Sequence, residues 1–114
     1  MSSLEALWTL RFDAVGGENF ELGGGVLIIE TGRLFGGDSG YAYVGSLDDT
    51  GSSVSGTVRI IRHDPTITSI FGDFDELTAK FSGHRISDTK IVGQLHAGGG
   101  PPASFEMNRL VELP

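Results

Sequence analysis

Apolar and polar residues alternate along most of this chain with a period of two. Trp8, Leu10 and Phe12 are separated by Thr9, Arg11 and Asp13, and Gly16-Gly17 ends the run. That is the pattern of a strand with one buried face, so a first strand is expected over 5–14. Val26-Leu27-Ile28-Ile29 is bounded by Gly23-Gly24-Gly25 and Gly32. It is too short for a stable helix and rich in β-branched residues, which predicts a second strand. A hairpin through Glu30-Thr31-Gly32-Arg33 then leads into a third strand at Leu34-Phe35. In the stretch FGGDSGYAYVGSL, the residues Gly36 to Gly40 are turn formers, and Tyr41, Tyr43, Gly45 and Leu47 share one face of the strand that follows.

The same pattern continues downstream. Val54, Gly56, Val58 and Ile60 alternate with polar neighbours after a turn at Asp48-Asp49-Thr50-Gly51. Leu77, Ala79 and Phe81 make the next strand, Ile91, Gly93 and Leu95 the one after, and a last strand is expected at about 103–112. There Phe105 and Met107 are in phase and Leu110 is not, and a bulge near Asn108 restores the register. About eight short antiparallel strands and no convincing helical period make an all-β protein. Gly45, Gly56 and Gly93 fall on the apolar face within strands, where glycine permits the coiling that closes a small barrel. Such a barrel holds side chains or one small ligand. Trp8, Leu10, Phe12 and Tyr43 are the interior residues that this pattern predicts.

Composition narrows the setting. With 114 residues the chain has room for one domain, and 39% hydrophobic residues argue against disorder. Absence of cysteine excludes disulfides, thiolate metal sites and thiol catalysis, and favours the cytoplasm for so small a domain. The N-terminus has no basic and apolar signal pattern, and no apolar run approaches membrane-spanning length. A net charge of −7, from 15 acidic and 8 basic residues, speaks against direct nucleic-acid binding and suits a basic protein partner.

Little in the sequence points to reaction chemistry. The glycines of residues 36–40 lead into a strand rather than a helix, so they do not form a phosphate loop. Asp38 and Ser39 are too few oxygen ligands for a calcium loop. His63, His84 and His96 are scattered, Asp73, Asp75 and Glu76 read as a solvated acidic strand entry, and no nucleophile elbow is present. No enzyme activity, cofactor or metal is expected. The connection after His63 carries Ile67, Ile70, Phe71 and Phe74, more apolar bulk than a hairpin loop exposes. It is expected either to cap one barrel end or to offer Ile70 and Phe71 to a second chain.

In order along the chain, LWTLRFD, GGG into VLIIETGRL, GGDSGYAYVGSL, GTVRIIRHDP, and SIFG with DELTAKFSG together resemble the GrlR-type negative regulators of type III secretion. The most specific element is Gly36-Gly37-Asp38 leading to Tyr43, Val44 and Gly45. The resemblance implies a lipocalin-like barrel, a homodimer, and sequestration of a DNA-binding transcriptional activator by acidic residues in the loop after that strand. In this chain the loop is LDDTGSS, which makes Asp48 and Asp49 the implied partner-binding residues. Lipocalin-like barrels also commonly seat a first-strand tryptophan beneath a last-strand basic residue, here Trp8 and Arg109, so the resemblance adds Arg109 as a fifth expected interior residue. The expected function is therefore a non-catalytic regulator that binds a protein, the alternative being a carrier of a small apolar ligand in the barrel.

Overall fold

The computed structural model describes residues 3–14, 24–67, 74–98 and 102–114. Regular structure among them is entirely strand: β1 (Ala6–Ala14), β2 (Gly25–Glu30), β3 (Arg33–Gly37), β4 (Tyr41–Asp49), β5 (Ser53–Arg62), β6 (Glu76–Ser87), β7 (Lys90–Ala97) and β8 (Ala103–Val111). Each strand pairs antiparallel with the next, and β8 returns to pair with β1, closing the sheet into a barrel. This confirms the expected all-β barrel.

Closure follows from which residues face inward. Trp8, Leu10 and Phe12 of β1, Leu27 and Ile29 of β2, Tyr41, Tyr43 and Leu47 of β4, and Phe105 and Met107 of β8 are all buried in one core. Ile29 and Ile91 are at most 2% exposed, and burying a side chain of that size contributes about 1.5–3 kcal/mol. The inward glycines meet the neighbouring strand directly. A Cβ on Gly45 would lie 2.8 Å from the Cα of Val58, and one on Gly56 would lie 2.7 Å from Cζ of Phe81. Aromatic rings thus cover backbone that carries no side chain of its own, which lets the sheet coil tightly.

Several boundaries differ from the sequence reading. Gly36 and Gly37 belong to β3 rather than to the turn, because Gly36 faces inward and a Cβ there would stand 2.5 Å from the Cα of Leu27. The turn itself is only Asp38-Ser39-Gly40. β4 runs on through Asp48 and Asp49, and the chain reverses at Thr50-Gly51-Ser52, with Gly51 at φ 99°. β6 extends well past Phe81, to Ser87. The bulge in β8 falls at Leu110, between the pairs Trp8 with Arg109 and Leu7 with Val111. It leaves Leu110 59% exposed, because Arg109 occupies the inward position at that level.

The β2–β3 hairpin forms as expected, with Thr31 at φ 50° and Gly32 at φ 74°, the paired positive angles of a type I′ turn. Threonine is an unfavourable residue at such an angle. The backbone N–H of Thr31 donates to Glu5 Oε2 at 3.0 Å and its hydroxyl to the Glu30 carbonyl at 2.8 Å, which hold it there.

Candidate functional site

A barrel can act through its interior, its two ends or its outer wall. The interior is nearly filled. A cavity of about 40 Å³ remains, lined by Leu10, Phe12 and Tyr43 together with carbon-rich side chains from the other strands. Phe12 meets Tyr43 edge-on at 5.8 Å between ring centroids, and Phe81 meets Phe105 in the same way at 6.2 Å. Of the five expected interior residues, Leu10, Phe12 and Tyr43 line this space, whereas Trp8 and Arg109 close the end below it.

At that closed end the Trp8 ring is fully buried, and the guanidinium carbon of Arg109 lies 4.9 Å from its centroid, a cation–π distance. Trp8 Nε1 donates to the Leu4 carbonyl at 2.9 Å. Arg109 donates through Nε to the Asp88 carbonyl at 2.9 Å and through Nη2 to the Ser3 carbonyl at 2.6 Å, and pairs with Glu112 at 3.3 Å. Strand closure brings these groups together, since Trp8 and Arg109 are register partners. Arg109 therefore seals the barrel rather than offering a charge to a ligand.

Asp48 and Asp49 occupy the same end but play different parts. Asp49 is tethered at the rim: Oδ1 accepts from Gly51 N at 2.8 Å, and Oδ2 lies 3.6 Å from the Arg85 guanidinium, whose side chain is only 2% exposed. Asp88 lies 3.7 Å from the same guanidinium. Asp48 alternates outward and is exposed. Of the two, Asp48 is the one available to a partner. Arg85 was not singled out by sequence reasoning. Its one signal is phase, since it continues the inward series Ala79, Phe81 and Gly83.

The opposite end is organised by Asp38. Its Oδ1 accepts from the N–H groups of Gly40 at 2.9 Å and Tyr41 at 2.8 Å, and its Oδ2 accepts the hydroxyl proton of Tyr43. His63 Nε2 donates to the Asp38 carbonyl at 3.0 Å, so this histidine is a turn fastener. Arg62 pairs with Asp75 at 3.2 Å and Arg59 with Glu76 at 3.1 Å, which separates the two carboxylates that stand beside Asp73 in sequence. Asp73, Ile70 and Phe71 lie outside the described residues. The flanking Ile67 and Phe74 pack against the core, with Phe74 5.3 Å from the Tyr41 ring. The ends of this connection thus cover the barrel mouth. His84 and His96 point outward and are exposed, and no group of three metal-ligating side chains occurs among the described residues.

Burial, and then the hydrogen bond and charge of Asp38, push the Tyr43 hydroxyl well above the ordinary tyrosine pKa of 10.0. A folded-state value above the unfolded one means that this phenol stabilises the fold below about pH 10, a contribution lost as pH rises further. Alkaline absorbance titration is expected to show a tyrosine that ionises only as the protein unfolds. Tyr43→Phe is expected to remove that phase at a cost of about 1–2 kcal/mol near neutrality.

The outer wall is divided by both polarity and charge. Among the described residues, five acids and five bases take outward strand positions: Asp13, Glu30, Asp48, Glu76 and Glu106 against Arg11, Arg33, Arg59, Lys80 and Lys90. These ten charges cancel, so the net charge of −7 does not come from them. Across β1 to β4, Leu7, Ile28, Phe35 and Val44 pair in succession on the outside. A second row places Val26, Gly37, Ala42 and Ile61 side by side. Val26, Phe35 and Val44 are 43%, 38% and 44% exposed.

No protein-family model and no curated protein matches the chain. What can be said of function rests on the barrel and its surfaces. Among the described residues no helix is long and apolar enough to cross a membrane. The motif Gly36-Gly37-Asp38 with Tyr43 has a structural explanation in full: a close approach at Gly36, a turn tied by Asp38, and a buried phenol that locks the turn to the wall.

Proposed function

We propose that the protein is a non-catalytic regulator that works in the cytoplasm by sequestering a protein partner, in the manner of GrlR-type negative regulators, and that it self-associates as a homodimer. The observation that carries this reading is the packed interior. With a core cavity of about 40 Å³ among the described residues, recognition falls to the outer surface. The net charge of −7 suits a basic partner such as a DNA-binding activator and disfavours direct contact with nucleic acid. Charged outward positions at mid-strand, such as Arg59 and Lys80, are costly in hydrocarbon and fit a barrel that works in water.

The test is capture of the partner by the full chain from its native cell, followed by titration of the purified pair. Asp48→Asn is expected to weaken association about 3- to 10-fold at low salt and to flatten its salt dependence, because exposed charges act through screened long-range attraction. The same variant should melt like the wild type, whereas Asp49→Asn should lose stability through Arg85. Unchanged affinity and salt slope for Asp48→Asn would remove this turn from the interface.

A second reading is favoured by the apolar lining of the cavity, which suits a small apolar ligand. An apolar cavity that admits benzene has a volume of about 150 Å³, so the barrel would have to expand to hold more than a few heavy atoms. Native mass spectrometry of the purified protein distinguishes the readings: a co-purified apolar molecule supports the carrier and its absence supports the regulator.

A further inference from the structure

We propose that Lys80 is a site of covalent modification, its amine acylated by small anionic acyl donors such as acyl phosphates, with His96 on the neighbouring strand taking up the proton. The proposal goes beyond the regulator reading above and does not rest on it. The chain has two lysines, Lys80 and Lys90. Lys90 Nζ lies 2.8 Å from Glu106 Oε1, and the hydrogen bond it donates holds the Glu106 carboxyl below the usual carboxylate range. An ammonium held in this way has no lone pair to offer. Lys80 is exposed in mid-strand on β6, and among the described residues no acid lies within ion-pair distance of it. Its outward register partner on β7 is His96, which is also exposed. Outward cross-strand partners have Cβ atoms about 4.5–5.5 Å apart, so the imidazole stands beside the lysine side chain, within reach of its amine.

The surroundings select the donor. Thr57 is the register partner of Lys80 on β5, and Ser82 pairs with Gln94 in the next outward row. Their hydroxyls and amide can donate hydrogen bonds to phosphate oxygens. Arg59 stands diagonally from Lys80 on β5 and holds Glu76, the acid of β6, through Nε at 3.1 Å and Nη2 at 3.2 Å. With Glu76 cancelled in this way, no acid on these strands repels an anion at Lys80, although the chain as a whole carries −7. In the reaction the Nζ lone pair attacks the acyl carbon and the carbon–nitrogen bond forms. The bond from that carbon to the phosphate oxygen breaks, and inorganic phosphate leaves with its electron pair. The proton lost from nitrogen passes to the His96 imidazole, a base near neutral pH, and from there to water or phosphate. The product is a neutral amide. Because Lys80 has no acid partner among the described residues, acylation removes a positive charge from this wall without leaving a carboxylate unpaired.

Acetyl phosphate is the probe. The full chain is incubated with it at mildly alkaline pH, and peptide mapping by mass spectrometry gives separate rates for Lys80, Lys90 and the amino terminus. Lys80 is expected to be acetylated about 10-fold faster than Lys90, because the help of a neighbouring base adds to the lack of an ion pair. His96→Gln keeps a neutral polar side chain and is expected to slow Lys80 about 3- to 10-fold while leaving Lys90 unchanged. Arg59→Gln unmasks Glu76, and is expected to slow Lys80 with acetyl phosphate but not with the uncharged donor p-nitrophenyl acetate. His96→Gln slows it with both donors, which separates a proton acceptor from a residue that only shapes the charge of the wall. Glu106→Gln is expected to raise the Lys90 rate several-fold by releasing its ammonium. All these side chains point outward, so the variants should melt with the wild type. The ratio of the two lysines in the wild type needs no variant and decides the case should one fail to fold. A Lys90 rate equal to or above that of Lys80, or a Lys80 rate indifferent to His96→Gln, overturns the proposal.

Discussion

Trp8→Ala is expected to lower the unfolding free energy by about 3–5 kcal/mol, the range for removing a large buried aromatic. Small domains have only about 5–15 kcal/mol in total, so this change alone brings the barrel near the limit of folding. The ring is 0% exposed, and its loss leaves a void directly beneath the Arg109 guanidinium, which now stands 4.9 Å from the ring centroid. It also removes the donor to the Leu4 carbonyl, so the segment before β1 loses the anchor that draws it over the barrel end. Arg109→Lys keeps the charge but has no planar group to stack and cannot donate to Asp88, Ser3 and Glu112 at once. Its expected effect is about 1 kcal/mol, smaller than that of the tryptophan because the ring still fills its site. Urea denaturation of the three proteins checks the order. A Trp8→Ala protein within 1 kcal/mol of the wild type would show that the closed end contributes little to the fold.

Gly93→Val should be comparably damaging for the opposite reason. The first added carbon at this position stands 2.6 Å from the Cα of Gly83 and 2.8 Å from Cζ of Phe105, besides crowding the Ser82 carbonyl. Two of those neighbours are backbone of the paired strand, so no rotamer change relieves the clash. β6 and β7 must separate, or the Phe105 ring must leave its packed position. Overpacking of this kind costs about 3 kcal/mol at the upper end of its usual range, which lowers the melting temperature by about 10 °C or more. Gly24→Ala is the matched control, because its added carbon would have no neighbour closer than 3.9 Å and should melt with the wild type. Equal melting temperatures for the two variants would mean that the strands yield at Gly93 without loss.

The sequence alone determined the barrel and most of what lies inside it. A period of two in the apolar residues is a property of the strand itself. It therefore placed Trp8, Leu10, Phe12 and Tyr43 inward before any partner strand was known, and the in-phase glycines at 45, 56 and 93 pointed to tight coiling. Strand ends were less legible. A turn former such as Gly36 becomes a strand residue when the facing backbone comes too close for a Cβ, and that proximity exists only after β2 and β3 pair. Asp48 and Asp49 were indistinguishable in sequence, and only the arrival of Arg85 from a strand far along the chain sets the tethered carboxylate of Asp49 apart from its neighbour. The two-sided character of Val26-Leu27-Ile28-Ile29 was visible as an apolar run without alternation. Its outward half became a surface only when register set Ile28 beside Phe35 and Phe35 beside Val44. Local periodicity fixes which way a side chain points, whereas pairing between distant strands fixes what it stands next to, and charge segregation, ion pairs and contact faces all depend on the second.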